Sequence, residues 1–219
     1  MDDTIKKLFE VQAQDLPSSI PLFPLDNVLL LPFGKLPLNI FEERYIKMAL
    51  DSLKTHRMIG IIQPRNNNNE LFTMGCIGKI TSYIETPDYR IVLNLEGVCR
   101  FALKERHLNP SGYFHASVDC SKYVDDLIET EPNLDRSQLI KKYTNFFKIK
   151  KLDIDREVLS ETSNLQLLST LAMLAPFNKI DKQAILESPN VKERINTINS
   201  ILDLNTFQVV SKSSPNQLN

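Results

Sequence analysis

Residues 20–48 read IPLFPLDNVLLLPFGKLPLNIFEERYIKM, and the spacing of the prolines in this stretch decides its local structure. The prolines at positions 21, 24, 32 and 37 are too close together for a helix. Each of them removes a backbone donor and restricts the residue before it. Prolines of this kind suit the ends, edges and bends of strands. Only residues 27–31 are free to form a short strand between the second and third prolines.

An amphipathic helix is expected directly after the proline-rich stretch. Its apolar face follows the i, i+4, i+7, i+8 spacing of a helix. We expect Asn39 to cap this helix, with Glu42 three residues on to complete a capping box. The expected apolar face consists of Phe41, Tyr45, Met48, Ala49 and Leu53.

Further strands are expected up to about residue 124. Apolar or small residues occupy the odd positions from Ile91 to Leu103, and polar residues, Arg100 among them, occupy most of the even ones. This period of two predicts a strand with one face in the core and the other facing water or a partner. Gly97 in its middle predicts a bulge or a close approach of the backbone. The turn at residues 87–89 predicts a hairpin with the preceding strand.

The period changes from two to that of a helix at about residue 134. Asp135 and Ser163 are the expected helix caps. The fold class is therefore α+β, with a barrel-like first part and a helical bundle after it. The predicted segments are a flexible N-terminal segment at 1–17, a β-rich barrel at 18–128, a helical bundle at 129–207 and a disordered tail at 208–219.

The bulk composition is that of a soluble globular protein. The net charge is -1 and 42% of the residues are hydrophobic, which disfavours a general binder of nucleic acid or of a membrane surface. No apolar stretch is long enough to span a bilayer and the N-terminus is not a secretory signal, so a cytoplasmic location is expected. Cys76, Cys99 and Cys120 are expected to be reduced thiols packed as small apolar groups.

Sequence motifs for catalysis are missing. There is no GxxxxGK[ST] phosphate loop (Walker A), no HExxH, no GxSxG and no SxxK that could supply a serine-lysine dyad. His56, His107 and His115 are far apart in sequence and are expected to be lone surface residues. We therefore expect no catalytic residue, no cofactor and no metal, and a protein that is not an enzyme.

One basic stretch leaves an alternative open. Lysines from Lys141 to Lys151 are interleaved with Tyr143, Phe146 and Phe147, a pattern that can bind RNA. The favoured interpretation is an amphipathic helix whose aromatic side chains face the bundle and whose lysines face water. Nucleic acid is then not expected as a partner.

Several ordered motifs resemble the N-terminal, substrate-binding domain of the Lon ATP-dependent proteases. They are PLFPL at 21–25, LPLNIFEERY at 36–45, MGCIGKI at 74–80, GVCRF at 97–101 and FNKIDKQAILESPNVKERINTI at 177–198. In one turn the family pattern PDGRY is replaced by PDYR, without the glycine. The residues that match the family motifs are Pro21, Phe23, Pro24, Pro37, Phe41, Glu42, Arg44, Tyr45, Gly97, Arg100 and Phe101.

The resemblance implies a PUA-like β pseudo-barrel with one inserted helix, followed by a C-terminal α-helical bundle. It also implies a stand-alone bacterial form that lacks the ATPase and protease domains. The expected partners are unfolded or apolar protein segments, and a separate Lon-type protease. In the apolar loop at 31–37, prolines would limit the entropy lost on binding, so Phe33, Leu36 and Pro37 are the candidate polypeptide-binding residues.

Overall fold

The computed structural model describes residues 9–66, 70–128, 130–153 and 163–213. The asparagine-rich stretch RNNNNE at 65–70 lies partly outside the described residues. The chain divides into two compact units, Met1–Glu129 and Thr130–Asn219.

Within the described residues, the named elements of the first unit are strands, an α-helix and two short 3-10 helices. The strands are β1 Ser19–Pro24, β2 Lys35–Ile40, β3 Met58–Ile62, β4 Met74–Glu85, β5 Ile91–Leu108 and β6 Phe114–Asp119. The helix is α1 Glu43–Leu53, and the 3-10 helices are Ala13–Asp15 and Ser121–Leu127.

Five of the six strands pair in a closed ring. Strand β1 is parallel to β3 and antiparallel to β6, while β3–β4, β4–β5 and β5–β6 are antiparallel. The ring can close because β5 is 18 residues long, so that its first part pairs with β4 and its last part with β6. A pseudo-barrel results, and the expected α+β fold is confirmed.

The structure corrects four predictions for the segment between β1 and α1. No strand forms at 27–31, and Lys35–Ile40 forms β2 where a loop was expected. Asn39 therefore lies in a strand, and α1 begins at Glu43 with Glu42 as its N-cap residue. Phe41 precedes the helix and is 66% exposed instead of facing the core. Pairing along the whole of β2 with β5 satisfies more backbone groups than a local helix cap would.

The predicted period of two in β5 is confirmed by burial. Ile91, Leu93, Leu95, Cys99 and Phe101 are all buried. The even positions are half-buried or exposed with one exception, Arg100, which was expected on the polar face. The predicted packing of the cysteines is also confirmed, since all three are buried free thiols.

The predicted hairpin between β4 and β5 is present. The Tyr89 N–H donates to the Thr86 carbonyl at 3.0 Å, and the Thr86 N–H donates to the Arg90 carbonyl at 2.9 Å. Tyr89 has a φ of 62°, in the left-handed region that favours glycine. The missing glycine of the PDGRY pattern is thus replaced by a tyrosine in the same kind of conformation.

The N-terminal segment is ordered where the structure describes it. Residues Ala13–Asp15 form a 3-10 helix. On either side of it, Val11 and Leu16 are partly buried and pack against the core cluster of the barrel. Since a flexible segment was expected up to residue 17, this docking is a finding of the structure.

The second unit is helical, with α2 Arg136–Ile149, α3 Asn164–Leu174, α4 Lys179–Glu187 and α5 Val191–Ser213. The Asp135 carboxylate accepts the Gln138 N–H at 2.9 Å and the Ser163 hydroxyl accepts the Gln166 N–H at 3.3 Å, which confirms both caps. Helix α5 runs past the predicted end of the bundle at 207. Within the described ranges, no helix has the length and apolar composition needed to cross a membrane.

Candidate functional site

Strand β2 is paired on one side only among the residues that the structure describes. Its partner is β5, in a register from Lys35 opposite Glu96 to Ile40 opposite Ile91. Each of the other five strands has two neighbours in the ring. The outer side of β2 is therefore a free strand edge, which can pair with another extended chain.

A tight turn sets the position where β2 starts. The Phe33 N–H donates to the Gly97 carbonyl and the Gly97 N–H donates to the Gly34 carbonyl, both at 2.8 Å. Phe33 has a φ of 63° in this turn. A Cβ atom on Gly97 would lie 2.0 Å from the Leu31 carbonyl oxygen, so only glycine fits opposite the turn. The predicted bulge or close backbone approach at Gly97 is confirmed, because the β4–β5 register also shifts here.

The three predicted polypeptide-binding residues do not form one patch. Phe33 is half-buried in the turn before β2. Leu36 is half-buried and pairs with the buried Leu95, whereas Pro37 is exposed. Successive side chains on a strand point to opposite faces, so Leu36 and Pro37 face apart.

A cavity of about 780 Å³ lies beside Phe33 in the first unit. The N-terminal segment forms one wall and strands β4 and β5 form another. The Lys79 ammonium on this wall donates to the Phe9 carbonyl at 2.8 Å. Sequence patterns gave no indication of this cavity, because its walls come from parts of the chain that are distant in sequence.

The motif residues at the β1 end connect that strand to α1. The Phe23 and Tyr45 rings lie 4.3 Å apart between centroids. Burial raises the pKa of Tyr45, while the positive charge of Arg44 lowers it to a smaller extent. Arg44 also forms an exposed ion pair with Glu42 at 2.7 Å. These contacts fix the helix on the barrel, so this part of the motif has a structural role.

Arg100 is a motif residue with a buried partner that the sequence did not reveal. It forms an ion pair with Asp126, in the second 3-10 helix, at 2.8 Å. The Arg100 guanidinium also lies 5.1 Å from the centre of the Tyr123 ring. The buried guanidinium at an even position of β5 is an exception to the alternation of buried and polar side chains along this strand. No sequence pattern near residue 126 indicated that Asp126 would be its partner.

The basic stretch in α2 has its aromatic side chains in the helical unit. Tyr143, Phe146 and Phe147 are buried. Lys142 forms an ion pair with Asp203 at 2.9 Å, and the Lys150 ammonium lies 5.5 Å from the Phe146 ring centre. These rings are not available for stacking on RNA bases, which supports the amphipathic-helix interpretation.

Two of the three histidines are neighbours, in contrast to the predicted lone residues. His107 and His115 face each other on β5 and β6 with ring centres 5.8 Å apart. Burial lowers the pKa of His115, and the charges of His107 and His56 lower it further. In the described part of the chain, no group of three or more His, Cys, Asp or Glu side chains could hold a metal ion.

A strand ring with one added edge strand, followed in the chain by a helical unit, defines the class of barrel-type α+β folds. The family model of the ATP-dependent protease La (LON) substrate-binding domain matches residues 19–203. The chain therefore belongs to the Lon substrate-binding domain family.

Comparisons with individual proteins agree with this assignment. The Lon protease of Buchnera aphidicola subsp. Baizongia pistaciae is 26% identical over 194 residues, which cover 84% of this chain and 24% of that protein. Lon protease 1 of Bacillus subtilis is 28% identical over 200 residues, which cover 85% of this chain and 25% of that protein. The chain thus spans about a quarter of the length of these relatives.

Two solved structures share the fold. The Lon N-terminal domain protein from Xanthomonas campestris has a TM-score of 0.60 at 21% identity. The N-terminal domain of Mycobacterium avium complex Lon protease has a TM-score of 0.56 at 13% identity. Each match covers 84% of this chain and 98% of the solved chain.

Proposed function

We propose that this protein is a non-catalytic module that binds unfolded or apolar segments of other polypeptide chains in the cytoplasm. The observation that carries the proposal is the free edge of β2, which pairs only with β5 among the described strands. Membership of a substrate-binding domain family supports the same function.

The edge of β2 suits an extended chain of any sequence. Pro37 has no N–H, so it fits a position at which the backbone points away from β5. Backbone groups alternate in direction along an antiparallel strand, so the N–H groups of Lys35 and Asn39 are expected to point outward as well. An extended segment that pairs there gains main-chain hydrogen bonds without any requirement on its side chains.

Apolar side chains near the edge supply the preference for apolar segments. Phe33 and Leu36 are half-buried and lie before and within β2, so a bound segment could cover the exposed parts of both side chains. Burial of apolar area contributes roughly 25 cal/mol per Å². A short segment on one strand edge forms a small interface, for which we expect a dissociation constant in the micromolar range or weaker, about 1 μM at best.

The test is fluorescence anisotropy of a labelled, permanently unfolded polypeptide titrated with the protein without ATP. Asn39→Pro removes an outward N–H, whereas Asn39→Ala removes the same side chain and keeps that donor. Phe33→Ser removes apolar contact, and its matched control is Leu174→Ser, an exposed position in the helical unit. Far-UV circular dichroism and thermal melting establish that each variant is folded.

We expect saturable binding that is weakened by Asn39→Pro and Phe33→Ser and unchanged in the two control variants. Equal binding by all folded variants would exclude β2 and Phe33 as the site. A labelled single-stranded RNA is titrated in parallel at two salt concentrations. Salt-sensitive RNA binding without polypeptide binding would contradict the proposal as a whole.

A Lon-type protease is the partner that we propose for handing over the bound segment, because the full-length relatives are Lon proteases. The measurement is the rate at which Lon protease 1 of Bacillus subtilis degrades the labelled unfolded polypeptide, with and without this protein. We expect the rate to change in proportion to the fraction of polypeptide bound. An unchanged rate at saturation would count against this partner.

A further inference from the structure

The cavity beside Phe33 is lined on one side by the chain's own N-terminal segment, residues 9–11. Its volume of about 780 Å³ is that of a ligand pocket. The apolar part of its lining consists of Phe9, Val11, Phe33, Ile80, Val98 and Leu127. Phe33 lines this cavity and also lies just before β2, so the cavity is next to the start of the proposed binding edge.

Two contacts hold residues 9–11 against the cavity. The Lys79 ammonium donates to the main-chain carbonyl of Phe9 at 2.8 Å. Val11 is half-buried and packs on the core cluster to which Val98 also contributes. The Phe9 side chain, in contrast, is 73% exposed. The attachment therefore includes one main-chain oxygen and one apolar side chain.

These two contacts do not require a particular sequence. Every residue of an extended polypeptide has a carbonyl oxygen that could accept from Lys79. Any medium-sized apolar side chain could take the place of Val11, since apolar burial is not directional. An apolar segment of an unfolded protein therefore offers the same groups as the chain's own residues 9–11.

We propose that residues 9–11 are an intramolecular competitor that covers Lys79 and the core cluster at the wall of this cavity, and that an apolar polypeptide segment displaces it from there. The proposal rests on the proposed function and adds a regulatory element to that site. The apparent affinity for a client is then reduced by the fraction of molecules in which the segment is docked. If the segment is docked in about 90% of molecules, its release should increase the affinity for a client about tenfold.

The experiment uses the full chain with Val11→Asp, which puts a charge where an apolar side chain packs. Gln14→Asp is the matched control, because it adds the same charge at an exposed position of the same segment. Anisotropy of the labelled unfolded polypeptide gives the dissociation constant for each protein. We expect Val11→Asp to bind about tenfold more tightly and Gln14→Asp to bind as the unmodified protein does.

A second measurement uses a labelled synthetic peptide with the sequence of residues 7–13, KLFEVQA. We expect it to bind the Val11→Asp protein saturably and to compete with the unfolded polypeptide. A peptide of the same sequence with the Val11→Asp change should do neither. If Val11→Asp fails to fold, Val11→Ser replaces it, and the peptide measurement is made on that variant.

The outcomes separate the two proposals. Unchanged affinity in the folded Val11 variant, or no competition by the peptide, overturns the intramolecular competitor while client binding by the unmodified protein still stands. If the unfolded polypeptide binds none of the proteins, the proposed function fails and the competitor fails with it. Tighter binding together with peptide competition supports both.

Discussion

The Arg100 guanidinium binds both oxygens of the Asp126 carboxylate, from Nε to Oδ2 at 2.8 Å and from Nη2 to Oδ1 at 2.9 Å. The Arg100 backbone N–H donates to the same carboxylate at 3.0 Å. Both side chains are buried, with 4% and 8% of their surface exposed. The ion pair therefore holds the 3-10 helix Ser121–Leu127 on β5 and is largely shielded from water.

Removal of one partner of this pair is expected to be strongly destabilising. Asp126→Asn or Arg100→Met leaves a buried charge without its counterpart, which costs about 3–5 kcal/mol of the free energy of unfolding. The double variant Arg100→Met with Asp126→Leu should recover part of that loss, because no unpaired charge remains. Urea unfolding gives all three values.

The control for the ion-pair prediction is Lys104→Met. Lys104 also lies on β5 and pairs with Asp119 at 3.2 Å, but its side chain is 56% exposed. Its replacement should barely move the unfolding midpoint, since exposed pairs contribute little. If Lys104→Met lost as much free energy of unfolding as Arg100→Met, burial would not be the reason for the importance of the Arg100–Asp126 pair.

Gly97→Ala tests whether the turn at Phe33 depends on the missing side chain. The added Cβ would lie 2.0 Å from the Leu31 carbonyl oxygen, so either β5 or the turn must move. We expect a loss of about 3 kcal/mol or more in the free energy of unfolding. Gly112→Ala is the comparison, because its Cβ would meet nothing closer than 3.6 Å. The expected cost of Gly112→Ala is therefore only the backbone strain at its φ of 87°, about 1–2 kcal/mol of the free energy of unfolding.

Tyr143→Phe is expected to stabilise the helical unit. Within the described residues, the Tyr143 hydroxyl is buried and has no hydrogen-bond partner. Removal of an unsatisfied buried hydroxyl should raise the free energy of unfolding by about 1 kcal/mol. Thermal and urea unfolding of the two proteins measure the difference. A destabilised Tyr143→Phe would show that the hydroxyl has a favourable interaction after all.

Stability is expected to fall as the pH falls through the titration of His115. Its folded-state pKa lies below the ordinary value of 6.5 because of burial and of the charges of His107 and His56. The unfolded chain thus takes up the proton first, so this contribution to stability is complete above 6.5 and is lost as the pH falls through the folded pKa. His115→Gln should flatten the decrease in melting temperature between about pH 7.5 and about pH 5.5.

A control at another histidine sharpens the pH prediction. The charge of His107 helps to lower the pKa of His115, so any effect of His107→Gln on the pH dependence should act through His115 and be the smaller of the two. The Ser19 hydroxyl lies 3.0 Å from Nδ1 of His115. Ser19→Ala should therefore lower the melting temperature by a similar amount at all pH values and leave the slope of melting temperature against pH nearly unchanged. Equal slopes in the unmodified protein and in His115→Gln would contradict the assignment.

Sequence alone determined the features that depend on residues close together in the chain. The period of two in β5, the hairpin at residues 87–89 and the caps Asp135 and Ser163 were all predicted correctly, because neighbouring residues set a face, a turn or a first helical turn. The ordered motifs from 21–25 to 177–198 likewise indicated the family.

The tertiary structure alone decided which distant segments meet. The structure joins residues that are far apart in the chain in three places: the pairing of β2 with β5, the ion pair of Arg100 with Asp126, and the cavity lined by residues 9–11 together with β4 and β5. A periodic pattern shows which face of a segment is buried, but the segment that covers it is selected by packing of the whole barrel. For this reason, the sequence predicts Phe33 as a candidate binding residue, but it does not predict the position of the free edge or the cavity beside that residue.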